Sequence, residues 1–419
     1  MDGEPDVAGT LNEVQRELNC RVCRGDWKHC RLAVCPYLAN VRKWFQAQEP
    51  LASTNLFGAS PPSAFVGSWG WPHVLAGPLV PPVIEDTSMM DAPEQWVDKD
   101  LWDILRFRLS LVRGKTPRKV AAAQDPDPLL RTVQEGAMAS RPVDTELWLT
   151  KKPVLESPFS ARASPTGPSA DIRKLVLTEN PKVPRRVDAI VDDTDLRAVE
   201  GVTDLFGHGV SQSHITRLFS VGLLGTAKRR TLVPTEWSIT AVDDILGKRL
   251  RDQVRDFPWI DEYRVFGHAG LGNNVQILLA PTAWMYEGLE AWDFSAHGSP
   301  AQDHEFFHGR SDYPRQLEGA YHAVRLPVLE YLARERRQAG VVGFLEVYPD
   351  WIPLGVWRYR ELARAALTSP PSTFPTLEDA LAALRPRLRL RLENYRAKSV
   401  ILKYLAEQRR ITEYAPQAR

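Results

Sequence analysis

Phe57-Gly-Ala-Ser-Pro-Pro-Ser-Ala-Phe-Val-Gly-Ser-Trp-Gly-Trp-Pro-His-Val-Leu-Ala-Gly-Pro-Leu-Val-Pro-Pro82 is a stretch that a helix cannot hold. Proline lacks the amide donor, so Ser60-Pro61-Pro62-Ser63 is not helix interior. Phe65-Val66 and Val74-Leu75-Ala76 read as short strands, with Gly67–Pro72 as the turn between them. The stretch has two readings. One is a rigid loop that offers Ser60, Ser63 and free amides to a phosphate. The other is a turn packed on tryptophan.

Upstream, Cys20-Arg-Val-Cys23-Arg-Gly-Asp-Trp-Lys-His-Cys30-Arg-Leu-Ala-Val-Cys35-Pro36 holds all four cysteines of the 419-residue chain. The spacing C-x2-C-x6-C-x4-C suits a tetrahedral metal site, because four thiolates on turn-rich backbone close the shell of a structural zinc. An iron–sulfur cluster takes the same ligands, and two disulfides are the third option. His29 stands beside Cys30 as a substitute ligand, though four thiolates already suffice. Short helices are expected on either side, over 10–19 and 37–48. Metal binding would supply the folding energy of so small a unit.

Composition is ordinary for a globular protein: 43% hydrophobic, 25% charged, formal net charge +1. Global charge therefore selects no partner, and nucleic-acid contact has to come from local patches. The acidic start Met-Asp-Gly-Glu-Pro-Asp has no apolar signal core, and no apolar run reaches the ~20 residues of a membrane span. A reduced, cytoplasmic setting without membrane contact is the expectation.

Downstream, 94–113 has the spacing of an amphipathic helix. Residues 114–170 show little periodicity and one strand, Glu146–Leu149. His208 and His214 read as structural histidines. Lys228-Arg229-Arg230 followed by Trp237 would contact a phosphate backbone and stack on a base. Asp243-Asp244 would hold a divalent metal. The alternative is a solvated charge run and a helix start capped by Thr240 or Asp243. Gly267-His-Ala-Gly270-Leu-Gly272 has the glycines of a dinucleotide fingerprint, but Val275–Ala280 reads as a strand, so a hairpin with a Gly/Asn turn is the better reading.

His304-Glu305-Phe-Phe-His308 matches the zinc-hydrolase motif H-E-x-x-H, with Glu330 as a third ligand. That motif needs a long buried helix, and the flanking Gly and Pro residues oppose one. Helices are expected over 319–338, Leu354–Leu367 and Leu377–Gln408, with a strand over Val341–Val347. Arg385, Arg387, Arg389 and Arg391 would line the last helix as a nucleic-acid patch or a solvated face. The tail Gln408-Arg-Arg-Ile411-Thr-Glu-Tyr414 fits the pattern Q-x-x-[LIM]-x-x-[FY], an aliphatic–aromatic plug for an apolar pocket.

Taken together, these stretches make the chain resemble the archaeal Nre family of DNA-repair proteins over nearly its whole length. The resemblance rests on the cysteine knuckle, on Phe57-Gly-Ala-Ser-Pro-Pro-Ser-x-Phe-Val-Gly with Gly77-Pro-Leu, and on Leu232-Val-Pro-Thr-x-Trp-Ser-Ile-Thr-Ala-Val-Asp-Asp244. It implies an N-terminal and a C-terminal domain, and a C-terminal motif (Gln408, Ile411, Tyr414) that binds the sliding clamp PCNA. Ala415 departs from it where many such motifs carry a second aromatic. The resemblance supplies no biochemical activity. The expected fold is mixed α/β (α+β), with a zinc knuckle over 1–48, a mixed domain over 49–295, a helix-rich domain over 296–405 and a clamp-binding tail over 406–419. The expected function is a clamp-recruited repair factor, with DNA and the clamp as partners, whose body binds nucleic acid or a nucleotide. The rivals are an enzyme using Ser60, Ser63, Lys228–Arg230 and Asp243-Asp244 as a phosphate pocket, or a zinc hydrolase using His304, Glu305 and His308.

Overall fold

The computed structural model describes residues 53–155, 163–292, 299–348 and 351–407. The four cysteines and the tail motif lie outside them. The described residues fall into two compact units that do not follow chain order: residues 53–249 with 352–361, and residues 250–351 with 362–407. Each carries a six-stranded mixed sheet.

The first unit runs β1 (Asn55–Ser60), β2 (Ala64–Val66), β3 (His73–Val80), α1 (Leu101–Ser110), β4 (Val112–Lys119), α2 (Pro128–Met138), β5 (Val143–Leu149) and β6 (Ser169–Leu177). Four more helices follow: α3 (Arg185–Asp192), α4 (Ala198–Gly207), α5 (Gln212–Ser220) and α6 (Thr235–Val254), whose last turn enters the second unit. The sheet order is β1-β5-β6-β4-β3-β2, antiparallel except for β4 on β6. The expected strands at Phe65-Val66 and Val74–Ala76 are β2 and the middle of β3. Gly58 is glycine for space, because a Cβ there would lie 1.8 Å from the Pro81 carbonyl oxygen.

Two expectations in this unit need correction. The amphipathic helix over 94–113 is only Leu101–Ser110, capped by Asp100, which accepts from the Trp102 amide at 2.7 Å. Trp96 is instead fully buried, edge-on to Trp357 at 5.1 Å, and donates to the Met89 carbonyl. The weakly patterned region 114–170 holds β4, α2 and β5. Its alternation is plain only in β5, where Val143, Thr145, Leu147 and Leu149 point inward.

The second unit holds β7 (Tyr263–Gly270), β8 (Asn273–Ala280), β9 (Met285–Ala291), β10 (Ala301–Glu305), α7 (Gly319–Glu335), β11 (Gly340–Val347), α8 (Trp357–Thr368, begun in the first unit), β12 (Ser372–Phe374), α9 (Leu377–Leu384), α10 (Leu392–Lys398) and α11 (Val400–Glu407). Its sheet order is β10-β9-β11-β8-β7-β12, with β11 parallel to β9. The glycine-rich stretch is a hairpin, as read. Leu271 (φ 54°) and Gly272 (φ 68°) form its two-residue turn, both in the left-handed region such a turn demands. Strands β8, β9 and β11 are buried along their whole length, and α9, α10 and α11 cover one face around Phe344, Leu381, Tyr395 and Ile401.

The single helix expected over Leu377–Gln408 is broken into three. Its register is interrupted by buried sheet carboxylates that bind main-chain amides. Glu346 of β11 accepts from the amides of Arg389 (2.9 Å) and Leu390 (2.8 Å) and from the Tyr395 hydroxyl. Glu287 of β9 accepts from the amides of Val400 and Ile401, at the start of α11, and from the Ser399 hydroxyl. A carboxylate at a helix start compensates both the unbonded amides and the dipole.

Candidate nucleic-acid interface

The β2–β3 turn of the first unit exposes two tryptophans, Trp69 at 86% and Trp71 at 46%. The turn is closed by Gly67 N–H to Leu75 O and His73 N–H to Gly70 O, both 2.9 Å. Trp237, 41% exposed, rises from the first turn of α6 and meets Trp71 with ring centroids 5.1 Å apart and planes 52° from parallel. The position of α6 is set by Thr235, whose hydroxyl accepts from the Val66 amide at 3.0 Å. Apolar rings of this size normally go inside. Trp71 and Trp237 are held together at the surface by a tied turn and a helix start, with Trp69 exposed two residues away in the same turn.

Cations lie around it. Lys119 ends β4 opposite His73, and the Val120 amide bonds the Pro72 carbonyl at 3.0 Å. The Val120 carbonyl accepts from the Leu232 amide at 2.8 Å, which draws the turn bearing Lys228 and Arg229 to the same edge. Lys119, Lys228 and Arg229 are exposed and carry no ion pair among the described residues. Arg230, grouped with them in the sequence reading, is occupied elsewhere: its guanidinium donates to the carbonyls of Gly225 and Val191. Arg113 lies 4.1 Å over the Phe65 ring. The arrangement offers π-faces for bases and positive charge for a backbone. The sequence reading singled out Trp237 and Lys228–Arg230 and passed over Trp69, Trp71 and Lys119, although two tryptophans around one glycine were the available signal.

The other predicted site residues lie elsewhere. Ser60 and Ser63 are buried, and both hydroxyls donate to the Leu79 carbonyl, at 2.8 and 3.4 Å. The narrow cavity they line includes Thr132, Gly136 and Leu175 but no basic residue. Asp243 and Asp244 do not start a helix, since α6 begins eight residues earlier at Thr235 behind Pro234. Asp243 is buried and takes both oxygens to one Arg360 nitrogen, at 3.0 and 2.9 Å, with Gln212 as a further donor. Asp244 pairs with Lys248 one turn on, at 2.6 Å.

The H-E-x-x-H stretch is not helical. His304 and Glu305 end strand β10, and exposed Phe306 and Phe307 follow. Glu305 is buried against the Arg325 guanidinium at 2.8 Å and the Trp284 indole N–H at 3.1 Å. The helix face that would align two imidazoles does not exist. Glu330 pairs with Arg364. Among the described residues no group of three His, Cys, Asp or Glu is placed to hold a metal. His208 caps its own helix end through Asp204. His214 is buried beside Arg217, and burial first, then that charge, push its pKa down to about 3. Of the four arginines read as one helix face, Arg385 pairs with Glu393, Arg387 reaches Ser372, and Arg389 lies over Tyr348. No helix among the described residues is long and apolar enough to cross a membrane.

Comparison with known proteins makes the family definite. The family model for the archaeal Nre N-terminal region matches residues 29–297, and that for the archaeal Nre C-terminal region matches 305–414. The DNA repair protein NreB of Archaeoglobus fulgidus is 36% identical over 404 residues, covering 95% of this chain and all of that one. The DNA repair protein NreA of the same organism is 35% identical over 377 residues, 88% of this chain and 94% of its own. NreA of Haloferax volcanii is 36% identical over 369 residues, 84% and 88% of the two chains. No solved structure matches. The chain belongs to the archaeal Nre family.

Proposed function

We propose that this chain is a DNA-repair factor that binds unpaired nucleic acid on the face built from Trp69, Trp71, Trp237, Lys119, Lys228 and Arg229. The observation that carries this reading is the trio of exposed tryptophans on the edge that also bears cations with no acidic partner among the described residues. Stacking is worth about 1–3 kcal/mol per base and tolerates any sequence. In anisotropy titrations with a labelled single strand, Trp71→Ala with Trp237→Ala is expected to weaken binding at least tenfold. Neutralising Lys119, Lys228 and Arg229 to Gln is expected to flatten the salt dependence by about 2 in log–log slope, at ~0.7 per phosphate contact. Unchanged affinity in the double tryptophan variant would remove this face from consideration.

Two further parts of the proposal concern residues outside those described. Cys20, Cys23, Cys30 and Cys35 hold one structural zinc; this rests on their spacing, and metal analysis of the parent against Cys20→Ala tests it. Gln408, Ile411 and Tyr414 recruit the chain to the sliding clamp PCNA, which rests on the tail pattern and on the family resemblance. Calorimetry should show clamp binding by the full chain and none by a chain ending at Glu407. Equal binding by both would place the contact elsewhere.

A further inference from the structure

The first unit contains a second, unrelated concentration of cationic side chains. Arg108 comes from α1, Arg217 from α5 and Arg360 from residues 352–361, and all three line one cavity of about 60 Å³. That is several times the ~10–15 Å³ that a single water needs. The three formal positive charges are matched by acids nearby, because Asp91, Glu94, Asp243 and Glu361 lie among them. The hydrogen bonding does not. Arg108 is paired with Asp91 and also donates to the Pro165 carbonyl at 3.0 Å. Arg360 is taken by Asp243 and Glu361. Glu94 accepts from the Ser213 amide at the start of α5.

Arg217 is left with the Asp91 carbonyl at 3.4 Å and a carboxylate oxygen at 3.7 Å, both poor contacts. Its Nε has no hydrogen-bond partner among the described residues. A guanidinium offers five donors, and leaving them unmet in a buried place is costly. Burial works against its charge, which an added anion would restore.

We propose that this cavity is a phosphate-binding site, with Arg217 as the principal donor and Arg108 and Arg360 lining the same cavity, each held in place by its own carboxylate. The ligand is a tetrahedral phosphate group, either on a free phosphate compound or at the end of a nucleic-acid strand. A fork of fixed N–H groups suits such an oxyanion better than a point charge does. The site borders the tryptophan face through Thr235 and Phe65 but uses none of its tryptophans or exposed cations.

The test uses the full chain, with melting temperature followed against inorganic phosphate and against chloride at equal ionic strength. Two variants perturb the site differently. Arg217→Lys keeps the charge and removes the fork, and Ala64→Val narrows the cavity from β2 with every charge in place. The expected result is saturable stabilisation by phosphate, weakened at least tenfold in each variant that melts near the parent. A tenfold preference for a 5′-phosphorylated over a 5′-hydroxyl oligonucleotide, lost in Arg217→Lys, would identify the strand end as the ligand. Equal affinity for both oligonucleotides with the phosphate effect intact would identify a free phosphate compound. No phosphate stabilisation beyond chloride overturns the proposal. So does an effect that survives both variants, or one that disappears in the Trp71→Ala, Trp237→Ala protein.

Discussion

Asp243→Ala is expected to cost the first unit about 3–5 kcal/mol, the range for removing one partner of a buried ion pair. The Asp243 carboxylate is entirely buried and holds one Arg360 nitrogen with both oxygens. Without it the Arg360 guanidinium stays in the interior with Glu361 as its adjacent acid, and the Gln212 amide loses its acceptor. A drop of that size is much of a typical domain's stability. Urea unfolding measures it, and Asp243→Asn should lose less by keeping the shape and one acceptor. The double variant Asp243→Leu, Arg360→Met should recover a substantial part, because well-packed apolar residues replace a buried pair at little cost. A single variant within ~0.5 kcal/mol of the parent would show that the pair contributes nothing.

The second large effect belongs to the other sheet. Glu346→Ala removes the acceptor for the amides of Arg389 and Leu390, the Tyr395 and Tyr348 hydroxyls and the Asn274 side-chain amide. Each buried donor left unmatched costs about 1–3 kcal/mol, and water entering near exposed Arg389 recovers part of that. A loss of about 4 kcal/mol is expected, with Glu346→Gln between that and the parent. The damage should also be local. Amide exchange over residues 389–398 should speed up well before the buried strands β8 and β9 lose protection. If exchange there is unchanged, the carboxylate does not hold the segment, and Pro386 alone accounts for the break in the helix.

These two carboxylates bear on function as well as stability. Arg385, Arg387, Arg389 and Arg391 do not share one helix face, because the run is a 3-10 turn over Arg385–Arg387 followed by a bend whose Arg389 and Leu390 amides Glu346 holds. The arginines of the phosphate cavity are a different set, none of them adjacent to another in sequence.

Much of this protein is determined by local chemistry that the sequence displays. The glycines and asparagines of 267–274 beside the strand pattern of Val275–Ala280 make a hairpin and exclude a nucleotide fingerprint, though the turn itself falls on Leu271-Gly272. Apolar residues around every side of 319–335 make a buried helix. Pro61-Pro62 and the Gly67–Pro72 turn make β2 and β3, and motif similarity over nearly the full length places the chain in its family. Each depends on neighbours a few residues apart, where propensity and periodicity act. Only the tertiary structure decides which side chains meet. Trp71 and Trp237 become a platform because Thr235 bonds the Val66 amide. Asp243 is a structural ion-pair partner because Arg360 reaches it. Ser60 and Ser63, which look free to hold a phosphate, are bonded to Leu79. Arg108, Arg217 and Arg360 line one cavity from three distant segments. The run 377–407 has a helical pattern throughout, yet Glu287 and Glu346, distant in sequence, bind its amides and divide it. Burial and hydrogen bonding between segments far apart in the chain act through space, and no local pattern records them.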